Sequence, residues 1–307
     1  VCVPLLPGGV TGRITMERIL SYRSRLTRLI EFIETVYMPD LLEVAKAFPE
    51  YWNIGASYPN YLSFGAFRME EAVGEHTRTF LPDGVVLNGR YQPLDTTKIS
   101  EFIGHSRYSS GSGLHPFEGQ TTPDCRKGYS WLKAPRYNSH PMQVGPLARI
   151  MTAYYAADRN PFKKEVDAAL TSINQTSDKL NSVLGRHLAR GLEAKWIAYQ
   201  ADKWLDELQP NEPAARELSI PATGRGVGLT EAPRGALGHW LVIENYKIKR
   251  YQCIVPTTWN CSPQDDAGQA GPVEKALQGT VIARADQPIE VGRIVRSFDP
   301  CIACAVH

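Results

Sequence analysis

Residues 12–48 read GRITMERILSYRSRLTRLIEFIETVYMPDLLEVAKAF. Ile19, Leu26, Leu29, Ile30, Ile33, Val36 and Tyr37 fall mostly at three- and four-residue steps, with charged residues between them. That spacing gathers the apolar side chains on one face of a helix. It predicts a long helix bent near Pro39, whose ring removes a backbone donor and crowds the turn before it. A helical core is therefore the first expectation for this chain.

Downstream the helical period is lost. YLSFGAF (61–67) and GVVLNGRY (84–91) are short apolar runs bounded by Gly, Pro and Asn, so residues 60–105 predict strands and loops. Residues 106–140, which include SRYSSGSGLHPFEGQTTP, predict loops. Helical spacing returns in VGPLARIMTAYYAA (144–157) and again from Phe162 to Leu208, with a break near INQTSD (173–178). In the last of these stretches Leu184, Leu188, Leu192, Trp196 and Tyr199 form an amphipathic stripe suited to a core.

From Gly226 the pattern changes once more. GHWLVIEN (238–245) and YKIKRYQCIV (246–255) are β-branched and aromatic runs that predict a hairpin. GPVEKALQ (271–278) predicts a short helix, and DQPIEVGRIVRSF (286–298) another. Asp286 is the candidate cap of that last helix and Pro288 lies near its first turn. It should stop before Asp299-Pro300 and deliver Cys301 from its end. The fold class expected is α+β, mainly helical, with small antiparallel sheets and hairpins at the periphery. Residues 1–307 are expected to form a single domain, with a helical core over about 13–49 and 140–208. Motif resemblance makes 226–262 and 286–307 the expected active-site segments.

Composition narrows the function. The 307 residues are 43% hydrophobic and 21% charged, a globular balance. With 34 basic and 32 acidic residues the formal net charge is +2, which makes no electrostatic case for nucleic acid or an anionic membrane. No apolar run approaches the ~20 residues of a spanning helix. Six cysteines, at 2, 125, 253, 261, 301 and 304, are too few for a disulfide scaffold of this length. The chain shows no signal peptide and opens on Val1, which is either a processing site or the edge of a longer sequence.

The chain closes on DPCIACAVH, Asp299 to His307, with Cys301, Cys304 and His307 at three-residue spacing. One CxxC alone is compatible with a redox pair or half of a zinc site. A thioredoxin-like pair wants a strand before it and a helix after it, whereas here a helix comes first. Thiolates favour soft or borderline metals. Two of them complete no such site, so a metal here needs ligands from elsewhere.

DPCIACAVH resembles the C-terminal signature of the large subunit of nickel–iron hydrogenases, Asp-Pro-Cys-x-x-Cys-x-x-His. GVGLTEAPRGALGHW (226–240) resembles that family's Glu-Ala-Pro-Arg-Gly segment, and YQCIVPTTWN (251–260) its Val-Pro-Thr/Ser-Thr-Trp-Asn segment. PGGVTGRIT, GLHPFEGQTTP, YSWLKAPRY and PMQVGPLAR are similar to further stretches, so the resemblance covers nearly the whole chain. The family's N-terminal Arg-x-Cys-Gly-x-Cys motif is absent, and Cys2 stands alone.

The resemblance implies a nickel and an iron bridged by thiolates, with one carbon monoxide and two cyanides on the iron. Cys301 would be a terminal nickel ligand and Cys304 a bridge. Arg234 would donate to one cyanide, with Asp299 as its counter-ion. Pro256, through its main chain, and Thr257, through hydroxyl and amide, would serve the other. Val255, Pro233 and Leu237 would line the apolar pocket around the carbon monoxide. His307 and the main-chain carbonyl of Cys253 would bind magnesium or a similar ion. The other histidines (76, 105, 115, 140, 187 and 239) have no ligand spacing and read as structural.

The implied reaction is reversible cleavage of H2 into protons and electrons, with Cys301 the first proton acceptor. The implied partners are an N-terminal half of the large subunit carrying the missing motif, an iron–sulfur small subunit and a membrane cytochrome. The resemblance also implies a periplasmic or membrane-associated location, reached with the small subunit, and a chain cut after His307 during maturation. Two other readings are a quinone-reducing homologue of the respiratory complex I type without nickel, and a zinc-stapled interaction module. That respiratory lineage lacks the cysteines that this chain keeps.

Overall fold

The computed structural model describes residues 5–69, 79–156 and 160–306. Cys2, His76 and His307 lie outside the described residues. A short pair, β1 (Leu5–Leu6) and β2 (Gly9–Val10), leads into helix α1 (Met16–Phe32). The Thr15 hydroxyl accepts from the Arg18 amide and caps α1. The predicted bend falls just ahead of Pro39. Residues Ile33–Tyr37 make one π-helical turn before α2 (Met38–Ala47), with the Met38 amide donating to the Ile33 carbonyl. The wider turn accommodates the proline that follows without a clash against the turn before it. Ile19, Leu26 and Ile33 are buried as the spacing predicts, but Leu29 and Val36 stay exposed.

β3 (Tyr61–Arg68), β4 (Thr79–Leu87) and β5 (Arg90–Gln92) form an antiparallel sheet in that order. β6 (Ile99–Phe102) pairs with β7 (Ala134–Tyr137), and loops occupy most of the span between them. Three helices follow: α3 (Pro146–Tyr155), α4 (Asn160–Ser172) and α5 (Val183–Glu207). The break between α4 and α5 matches the expected one, and the Ser182 hydroxyl caps α5 by accepting from the Gly185 amide. Leu184, Leu188, Leu192 and Trp196 of α5 are buried against α2, α3, α4 and the β3–β4 pair. Each such side chain taken out of water contributes about 1.5–3 kcal/mol. Tyr199, on the same stripe, is exposed.

The last third opens with a meander of β8 (Gly224–Ala232), β9 (Gly235–Glu244) and β10 (Lys247–Ile254). The predicted hairpin is β9–β10, and Asn245 and Tyr246 both take positive φ, the geometry of a two-residue primed turn. β8 adds a strand that the sequence reading did not contain. Gly224, Gly226 and Gly228 weaken its strand pattern, and most of it is exposed. Three short helices, α6 (Pro256–Asn260), α7 (Pro272–Leu277) and α8 (Ile289–Ser297), lead to a final turn, α9 (Ile302–Val306). Asp286 does not cap α8. Pro288 holds the cap position, and Asp286 pairs with Arg284 at 2.7 Å. A second core, with Trp240, Ile254 and Trp259 at its centre, joins β9, β10 and α6 to β3, β4 and β7. Its β9, β10 and α6 residues flank the β8–β9 turn and the β10–α6 junction.

Candidate metal centre

Three segments meet beside the end of α8. They are the β8–β9 turn with Pro233 and Arg234, the β10–α6 junction with Val255, Pro256 and Thr257, and the tail from Asp299 to Cys304. α8 ends at Phe298, and Asp299 takes a φ of 53°. An aspartate tolerates this left-handed conformation better than most residues. It turns the chain off the helix axis and across the mouth of the meander.

Thr257 organises the tail. Its hydroxyl accepts from the Cys301 amide at 3.0 Å, and its hydroxyl and amide also hydrogen-bond the Cys304 thiol. The Cys304 amide donates to the Cys301 carbonyl at 3.1 Å, closing one turn between the two cysteines. Both cysteines are free and partly exposed, and their thiols hydrogen-bond each other. The Cys304 thiol and amide, with the Arg234 charge, hold Cys301 below the usual thiol range. Burial and the bond to Cys301 push Cys304 up. The two shifts are opposite in direction, so Cys301 is the more readily ionised of the pair.

Arg234 reaches the same tail from the β8–β9 turn. Its Nε donates to the Asp299 carbonyl at 3.1 Å and lies 3.2 Å from Asp299 Oδ2. Its side chain is 39% exposed and that of Asp299 44%, so the pair is a surface contact worth at most about 1 kcal/mol in water. Its value lies in aiming a fixed cation at Cys301.

The remaining sequence-predicted residues fall around this centre. Val255 and Pro256 begin α6, Pro233 precedes Arg234, and Leu237 lies on β9 opposite Thr230. Cys253 lies on β10 opposite His239, its thiol 4.0 Å from the His239 ring. Burial pushes that thiol up to about 11, with Cys304 and Glu101 acting in the same direction. Cys253 and Cys304 are thus electrostatic neighbours. His115 is structural, as read: one ring nitrogen bonds the Thr96 carbonyl at 3.1 Å and the other accepts from the Phe117 amide at 3.2 Å.

Several charged residues around the centre were not singled out from the sequence. Arg149 of α3 lies between Glu193 of α5 and Glu231 of β8, all three nearly buried. Arg190 donates to the Ser297 carbonyl at 3.0 Å, and Arg186 stacks over the Phe298 ring at 3.7 Å. Both brace the end of α8 where the tail departs. The available signal was a charge inside an apolar stretch, as in PLARIM, which marks a paired buried residue.

Two adjacent thiols, one of them held ready to ionise, suit a borderline or soft divalent metal and not magnesium or calcium. Among the described residues no group of three or more His, Cys, Asp and Glu side chains converges. The pair therefore fits part of a thiolate metal centre.

An α+β, largely helical protein with a metal-ready CxxC on its tail is the class defined by this fold and site. A family model described as nickel-dependent hydrogenase matches residues 3–307. The chain belongs to the nickel-dependent hydrogenase family. It is 39% identical over 339 residues to the Hydrogenase-1 large chain of Escherichia coli, covering 97% of this chain and 56% of that one. It is 34% identical over 312 residues to the periplasmic [NiFeSe] hydrogenase large subunit of Desulfomicrobium baculatum, covering 99% of this chain and 60% of the relative. The solved structure of a reduced, active form of the Ni-Fe-Se hydrogenase from Desulfomicrobium baculatum superposes with a TM-score of 0.89 at 34% identity. That superposition covers 99% of this chain and 63% of the other. The chain thus spans a little over half the length of the curated relatives it matches. The complex I-type and zinc-module readings gain no support from these matches.

Proposed function

We propose that this chain carries part of the active site of a hydrogenase, with Cys301 and Cys304 giving two thiolates to a nickel–iron centre. The observation that carries this reading is the hydrogen-bonded Cys301–Cys304 pair beside Arg234 and Thr257. Further thiolates come from a polypeptide segment outside these 307 residues. A small subunit with iron–sulfur clusters takes the electrons, because no cysteine set here would hold a cluster. A membrane cytochrome is a further partner. Relatives named periplasmic and uptake hydrogenases support a periplasmic or membrane-associated location.

When bound, the centre, with carbon monoxide and two cyanides on iron, supplies the polarisation that splits H2 heterolytically. Cys301 Sγ would accept the proton, because a thiolate, unlike arginine, titrates in a useful range. Arg234 presents several donors in one plane. Held by Asp299, it donates to one cyanide and favours the thiolate form of Cys301. The Thr257 hydroxyl and amide would donate to the second cyanide, and Pro256, whose main chain has no N–H, would only pack beside it. Val255, Pro233 and Leu237 exclude water around the carbon monoxide. His307 and the Cys253 carbonyl would hold magnesium or a similar ion.

Elemental analysis of the natively assembled protein tests the reading. Nickel, with iron in excess of it because the small subunit's clusters add their own, and infrared bands of carbon monoxide and cyanide are expected. Zinc alone, or no transition metal, would overturn it.

A further inference from the structure

The Arg149 guanidinium has five N–H donors, and all five are used. Nε donates to Glu193 Oε1 at 2.5 Å and Nη2 to Glu193 Oε2 at 2.7 Å. Nη1 donates to Glu231 Oε2 at 2.5 Å and to the Ala232 carbonyl at 3.1 Å. The second proton of Nη2 goes to the Pro233 carbonyl at 3.0 Å. Those two carbonyls belong to the residues immediately before Arg234. Glu231 is itself fixed, because its other oxygen accepts from the Phe64 amide at 2.7 Å.

The segment that carries Arg149 also grips Arg234 from below. Gly145 has a φ of 109°, and a Cβ there would lie 2.8 Å from the Arg234 carbonyl. Gly235 has a φ of 135°, and a Cβ there would lie 2.6 Å from the Gly145 nitrogen. Next to them, Asn260 accepts from the Val144 amide and donates to the Val144 carbonyl, both at 3.0 Å. Asn260 ends α6, the helix that bears Thr257. Residues 144–149 therefore tie the Arg234 turn to the Thr257 helix through buried contacts.

We infer that Arg149 is a positioning residue for Arg234: it clamps the Ala232 and Pro233 carbonyls to α5 and so aims the Arg234 guanidinium at the Cys301–Asp299 tail. The inference rests on the hydrogenase reading above for its catalytic consequence, and on geometry alone for the clamp. A buried cation needed only for charge balance tolerates lysine. A five-donor clamp does not, because an ammonium has three donors at one point.

The test uses the assembled, metal-loaded enzyme with Arg149→Lys, Arg149→Met and Arg234→Lys, singly and combined. Arg149→Lys and Arg149→Met are each expected to lower turnover on H2 at least tenfold, with nickel retained and KM for H2 changed less than twofold. Added to Arg234→Lys, either should cost less than a further twofold, because both act through one group. The cyanide bands should shift in the same direction as in Arg234→Lys. Multiplying effects, or full rescue by lysine, would overturn the positioning role. Should the Arg149 variants load no nickel, Glu193→Gln, which weakens the clamp and keeps its shape, is put through the same cycle with the same criterion. Amide exchange at residues 235–237 of the assembled protein separates the two readings. It should speed up at least tenfold in Arg149→Met even if Arg234→Lys proves as active as the parent. That last result would sink the role of Arg234 and leave the clamp standing, whereas unchanged exchange would sink the clamp.

Discussion

Thr257 accepts from the Cys301 amide with its hydroxyl while hydroxyl and amide together reach the Cys304 thiol. One residue therefore anchors the Cys301 backbone and the Cys304 thiol. Replacing either sulfur by oxygen keeps that scaffold and removes the soft donor. Cys301→Ser and Cys304→Ser should each abolish H2 turnover and lower bound nickel in the assembled enzyme. Nickel at the parent level in both variants would take them out of the coordination sphere. His187 gives a second test at this scale. Burial, with Arg190 and Arg186 beside it, pushes its imidazole from 6.5 down to about 4, and Asp299 opposes this only in part. Between those values the unfolded chain binds a proton that the folded chain refuses. This contribution is complete above about pH 6.5 and is lost as pH falls towards 4, by up to about 3 kcal/mol. His187→Gln should flatten denaturant-measured stability between pH 6.5 and 4. An unaltered pH slope would show that His187 is freely protonated in the fold.

The α1–α2 segment shows what periodicity reveals and what it misses. Its helical character is plain from the apolar spacing, yet no residue in it marks the π turn at Ile33–Tyr37. Pro39 signals a bend but not the type of turn, and on α5 Gly191 lets that turn approach. A Cβ at Gly191 would sit 2.7 Å from the Met38 sulfur, 3.1 Å from Leu41 Cδ2 and 3.3 Å from the Tyr37 ring. Alanine can be absorbed by movement of the flexible thioether. A branched side chain cannot, so Gly191→Val should cost about 1–3 kcal/mol by overpacking, while Gly191→Ala should cost much less. Chemical denaturation of both variants reads the difference, and equal stabilities would show that the contact is loose. β8 illustrates the opposite failure. Its glycines hide a strand that exists because β9 offers it a full edge of hydrogen-bonding partners.

Among the described residues, the Cys301–Cys304 pair sits where the β8–β10 meander meets the end of α8, while the largest core lies between α2, α3, α4, α5 and the β3–β4 pair. The tail of residues 299–306 is attached by few contacts, chiefly Thr257 and Arg234. Metal binding should therefore stabilise the assembled enzyme by linkage, about 2.7 kcal/mol at a hundredfold excess over the dissociation constant. Calorimetric unfolding with and without nickel should show the metal-free form melting earlier. Coincident curves would show that the tail holds its place without metal.

The sequence by itself determined the helices at 16–47 and 183–207, the β9–β10 hairpin, and the tail that brings Cys301 and Cys304 together. These are contiguous patterns, in which a few neighbouring residues suffice to specify periodicity, a turn or a motif. It also carried Arg234 and Thr257, but only through motif resemblance, since nothing in their local chemistry announces a partner. The tertiary structure alone decided that Thr257 anchors the cysteine tail, that Asp299 turns left-handed to meet Arg234, and that Arg149 locks the residues before Arg234. Arg149 finds its acids 44 and 82 residues away. A buried charge becomes stable only when the fold brings such distant partners into one dry place, and no local pattern encodes which they will be.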